Sequence, residues 1–148
     1  MITGNDFIQL SNRWSILPEG GGGGEAVWRT SICRAYYGAF HMAMQLLTDI
    51  GIRTPKNNVH DFVRKALQHS GDKDLEKAGG MLAELRDSRN DADYDLIVDA
   101  NGEQKLAKEC HHNAKTIVTL LDSGGRSDRN SMRFKIIAWM NVNGYPST

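Results

Sequence analysis

Apolar residues recur at spacings of three and four along most of the chain. This is the period of a helix with one buried face, not the alternation of a strand. Phe7, Leu10, Trp14 and Leu17 share such a face, which stops at Pro18. Five glycines follow, Gly20 to Gly24, and backbone this free predicts a loop. A long helix is expected from Ala26 to Ile50, with Gly51 as its stop. At about 100° per residue, Ile32, Tyr36, Ala39, Phe40, Ala43, Leu46 and Leu47 fall on one side of it. Arg34, Gly38, His41 and Gln45 fall opposite, with Tyr37 at the edge, so two faces of this helix carry information.

Asn57 or Asn58 is placed to cap a third helix carrying Val59, Phe62, Val63, Ala66 and Leu67. A fourth is expected from Asp74 to Tyr94. It crosses Gly79-Gly80, where each glycine costs roughly 1 kcal/mol relative to alanine and a bend is expected. Leu75, Ala78, Leu82, Leu85, Arg86, Arg89 and Asp93 share one face of it, so the apolar stripe runs into charge. Asp99-Ala-Asn-Gly102 reads as a turn. Leu106, Cys110, Ala114, Ile117 and Leu121 mark a fifth helix closed by Gly124-Gly125. Ser127 or Asp128 is placed to cap a last helix carrying Met132, Ile136, Trp139 and Met140. The expectation is an all-α fold, an antiparallel up-and-down bundle of about five helices over residues 1–123. Residues 124–148 would add a C-terminal extension with a short helix, either part of the same domain or a partner-binding tail.

The length of 148 residues suffices for a single packed core. Eighteen basic and 18 acidic side chains give a formal net charge of +0, which argues against a strongly basic nucleic-acid binder and leaves room only for local patches. One such patch is Arg126, Arg129, Arg133 and Lys135, read either as a solvated helix start or as a phosphate or partner contact. No apolar run approaches the roughly 20 residues that span a bilayer, so no membrane partner is expected. The N-terminus lacks the layout of a secretory signal, and two cysteines, Cys33 and Cys110, do not make a disulfide framework. A cytoplasmic protein with reduced thiols is the simplest expectation. The glycine run is not followed by Gly-Lys-Ser/Thr, and Cys110-His111-His112 lacks the i, i+4 spacing of helical ligands, so neither a cofactor nor a metal is expected.

Chemistry concentrates in two segments, Arg34-Ala-Tyr-Tyr37 leading to Phe40-His41, and Arg89-Asn-Asp-Ala-Asp93-Tyr94. Arg34 stands three residues before Tyr37 and seven before His41, so the three can face one groove. Arg89 and Asp93, four apart, share a face; Asp93 can pair with Arg89 or reach Arg34 on a neighbouring helix. These residues leave two readings open. A buried Arg–Asp pair can simply lock two helices together, and removing one partner then costs about 3–5 kcal/mol without any catalytic meaning. Alternatively, the arginines bind phosphate and the tyrosines stack on bases.

The two segments together resemble the HEPN domain family, and are most similar to its small stand-alone prokaryotic members. The resemblance covers roughly Asp6 to Leu121 and leaves out the tail from Gly124. It implies an all-helical bundle, a homodimer, and RNA or a nucleotide as ligand. It also implies a ribonuclease-like toxin paired with a minimal nucleotidyltransferase as antitoxin. The family's active motif is an arginine, a polar residue, and a histidine four to six positions after the arginine. Arg89 and Asn90 match its start, while Tyr94 stands near the place of the absent histidine. The implied RNA- or nucleotide-binding set is Arg34, Tyr37, Arg89, Asn90, Asp93 and Tyr94. Metal-independent RNA cleavage needs a base, an acid and cationic support, which suits an imidazole with a pKa near 6.5. A tyrosine titrating near 10 is ionised in only about one molecule in a thousand at pH 7. Arg89 and His41, which shares the Arg34 face, are therefore the catalytic candidates. The alternative is a non-catalytic interaction or dimerisation module in which the Arg/Asp/Tyr motif is structural.

Overall fold

The computed structural model describes residues 3–16, 24–94 and 100–146. Pro18 and most of the expected glycine loop, Gly20 to Gly23, lie outside them, as do residues 95–99 and the side chain of Tyr94. α1 (Gly4–Ser15) starts earlier than its apolar spacing suggests, because Thr3 and Asp6 cap it reciprocally. The Asp6 carboxylate accepts from Thr3 N at 2.7 Å and from Thr3 Oγ1 at 2.8 Å. α2 (Glu25–Asp49) is the central helix, packed against α1, α3, α4 and α5. Its predicted core face is buried throughout, with Ile32, Ala39, Ala43 and Leu47 fully enclosed. Gly51, at φ 82°, ends it as expected.

α1 crosses α2 at two glycines. A Cβ on Gly38 would stand 2.5 Å from Ile8 Cγ1 and 2.7 Å from Gly4 O, so only hydrogens let the backbones approach this far. Further along the same contact Ser31 Oγ donates to Ser11 O at 2.7 Å. The α2 face that holds Arg34, Gly38 and His41 is thus the face that receives α1.

α3 (Val59–Gln68) follows Asn58, one of the two expected caps, but Asn58 is left-handed and its side chain caps nothing. α4 (Lys73–Tyr94) runs without a break through Gly79-Gly80. Gly79 has a packing reason, since a Cβ there would meet Arg64 O of α3 at 2.8 Å, whereas Gly80 faces open space. α5 (Ala100–Gly124) is helical from Ala100, so Ala100-Asn-Gly102 form its first turn and not the expected loop. α6 (Arg129–Val142) is capped by Asp128, whose side chain accepts from Asn130 N and Ser131 N. No strand occurs among the described residues, and the six helices form an antiparallel all-α bundle. Met132, Ile136 and Met140 of α6 are buried in the same core as the other helices. Trp139 lies 5.6 Å from the Phe62 ring of α3 and stacks on His69 at 5.0 Å. The C-terminal segment is therefore packed as part of the bundle.

Candidate nucleic-acid interface

Arg89 leaves α4 toward α2. Its guanidinium carbon sits 5.1 Å from the Tyr37 ring centre and 5.8 Å from that of Tyr36. Its Nε is 3.2 Å from Asp93 Oδ2, an ion pair without the alignment of a hydrogen bond. The other Asp93 oxygen accepts from Cys33 Sγ of α2 at 3.1 Å. Burial, the Asp93 hydrogen bond and the Asp93 charge together push the Cys33 thiol up to about 12. Asp93 thus joins Arg89 to α2 through Cys33, and no ion pair to Arg34 is formed.

Tyr36 looks like a core residue by spacing, and its ring is indeed buried. Its hydroxyl nonetheless ends 2.6 Å from His60 Nδ1 on α3. Burial raises the Tyr36 hydroxyl to about 12 against the opposing pull of Arg86 and Arg89. The same burial lowers the pKa of His60, and the charges of Arg86, Arg89 and His41 lower it further. Burial first, and then the surrounding cations, thus favour the neutral form of His60. Arg86 and His60 are the residues that sequence reasoning undervalued here. Arg86 was already visible as the last cation but one on the α4 stripe, whereas nothing in the spacing of α3 marks His60.

Arg34 is placed elsewhere. Its guanidinium lies over the Phe7 ring of α1 at 5.3 Å. It lines a cavity of about 580 Å³ together with Asp6, Phe7, Gln9, Leu10 and Arg13. His41 is exposed and bridges the two halves, stacked 6.0 Å from Phe7 and 6.3 Å from Tyr37. Asn90 follows Arg89 and so points about 100° away around α4. The remaining histidines lie apart: His69 is engaged with Trp139, His111, whose pKa is lowered by burial and by Lys115, faces α1, and His112 is exposed on α5.

The Nε atoms of Arg34 and Arg86 are buried with no hydrogen-bond partner. Neither arginine forms an ion pair among the described residues. Buried cations are usually paired, and a guanidinium presents its donors in a fork that fits phosphate. No group of three or more metal-ligating side chains occurs among the described residues. No described helix is long and apolar enough to cross a membrane. The chain matches no family model, no curated protein and no solved structure.

Proposed function

We propose that the surface formed by α2, α3 and α4 binds RNA or a nucleotide through its phosphate. One observation carries this reading: Arg89 lies over Tyr36, the charges of Arg86 and Arg89 both reach the Tyr36–His60 pair, and among the described residues Asp93 on Arg89 is the one carboxylate paired with either. An anion entering there would meet two guanidinium groups and an aromatic ring, Tyr37, on which a base can stack. The resemblance to HEPN proteins adds the expectation of a homodimer and of a ribonuclease-like half of a toxin–antitoxin pair with a minimal nucleotidyltransferase. Of the two imidazoles at this surface, His41 is open to solvent and His60 is hydrogen-bonded to Tyr36. The test is Arg89→Ala. RNA affinity should fall by about tenfold or more, the loss of one charge-assisted contact of roughly 1.5–3 kcal/mol, with the helical circular dichroism intact. Undiminished binding by a folded variant would overturn the reading.

A second reading rests on the Arg89–Asp93–Cys33 link and on the hydrogen bond from Arg29 to Ala92 O, which tie the end of α4 to α2. Here the motif is a clamp within an interaction module. Asp93→Asn would then lower the melting temperature while leaving RNA affinity untouched. A variant of full stability with altered RNA affinity would sink it.

A further inference from the structure

Phe7, His41 and Tyr37 form a row of rings that spans α1 and α2. Phe7 and His41 are 6.0 Å apart with planes 23° from parallel, and His41 and Tyr37 are 6.3 Å apart at 28°. An arginine lies over each end of the row, Arg89 over Tyr37 and Arg34 over Phe7. Beyond the Arg34 end lies the cavity of about 580 Å³, whose other cation, Arg13, is exposed on the last turn of α1. The one carboxylate lining that cavity, Asp6, is turned onto Thr3 by two hydrogen bonds. Arg34 and Arg13 therefore have no ion pair among the described residues.

From this row we infer that the ligand is a single-stranded nucleic acid several nucleotides long, running from the Arg89 end across His41 to the Arg34–Arg13 cavity. The inference rests on the phosphate-binding reading above and decides between the two ligands it leaves open. A mononucleotide needs one ring and one cation. A strand needs successive rings with cations spaced along them, because its bases offer π-faces in series and its phosphates follow alongside. A duplex hides those faces, and its bases cannot reach the rings. Stacking and phosphate contact do not read the 2′-hydroxyl, so RNA and DNA share the chemistry that this row recognises.

The test is fluorescence anisotropy with labelled oligonucleotides and the full chain. A single-stranded dodecamer should bind at least about tenfold more tightly than a dinucleotide, which fills only one end, since each stacked base adds to affinity. Phe7→Leu keeps an apolar side chain on α1 and should weaken dodecamer binding by about tenfold. Arg13→Ala, at an exposed position, should reduce the magnitude of the slope of log K against log salt by about 0.7, one single-strand phosphate contact. Equal affinity for dinucleotide and dodecamer, equal affinity for a duplex, or an unchanged dodecamer affinity in both variants would overturn the inference. If Arg89→Ala still weakens binding in that event, only the extended path fails. If Arg89→Ala binds as the wild type does, the phosphate site fails with it. RNA and DNA dodecamers run side by side identify which strand is preferred.

Discussion

Tyr36 is enclosed by the core along its ring while its hydroxyl engages His60, so a change at either partner is felt at both. His60 has a folded pKa below its ordinary value of 6.5, and the unfolded chain therefore binds more protons in mild acid. The stability tied to its neutral form is complete above about pH 6.5 and is lost as pH falls through the lower folded value. The titratable and charged groups facing it are Tyr36, Tyr37 and His41 from α2 and Arg86 and Arg89 from α4, and the Phe40 ring packs 4.2 Å away. His60→Gln keeps a partner for Tyr36 and removes the titration. Between about pH 7.5 and pH 5 its melting temperature should fall less than that of the wild type. His111 carries a shift of the same sign, so some slope should survive. Identical slopes would mean that another group titrates. Gly38 makes a second residue-scale case. A methyl group there collides with the backbone at Gly4 O as well as with Ile8, so it cannot be absorbed by a side-chain rotation. Gly38→Ala should cost about 1–3 kcal/mol, measured by urea titration. A neutral result would show that α1 shifts along α2 freely.

At the scale of whole helices, α6 shows what spacing could and could not reveal. Its apolar period and its cap at Asp128 were legible, and Met132, Ile136 and Met140 are buried accordingly. Where that face docks was not legible, because a period fixes a side of a helix and not the neighbour it meets. Ile136→Ala should destabilise the entire chain by about 2–5 kcal/mol in one cooperative transition. A separate early transition, with the remainder unaffected, would make α6 an appendage. The same distinction explains the rest of the fold. The core face of α2 could be read because Ile32, Ala39, Ala43 and Leu47 repeat as a buried stripe must. The opposite face, with Arg34 and His41, reads as one groove with Arg34 within reach of Asp93, yet the crossing of Gly4 on Gly38 gives that face to α1. Two glycines in contact have no hydrophobic signature, so a reading based on apolar periodicity passes over them. The start of α5 failed for a different reason: asparagine and glycine favour turns locally, but a first helical turn accepts them too.

For the molecule as a whole, a formal net charge of +0 limits long-range attraction, so the proposed nucleic-acid affinity would rest on local contacts. Three or four single-strand phosphate contacts would give a slope of log K against log salt of about −2 to −3. A much steeper slope would point instead to the exposed cations around α6. The bundle also carries its own reporter of motion. Cys33 and Cys110 are raised to about 12 and about 11, so at neutral pH neither is an effective nucleophile in the closed bundle. Release of α4 from α2 would strip Cys33 of both its burial and its Asp93 partner, and its thiol would regain ordinary reactivity. Alkylation at Cys33 thus acts as a clock for the separation of these two helices, and slower labelling on addition of a ligand would time how firmly that ligand holds them closed.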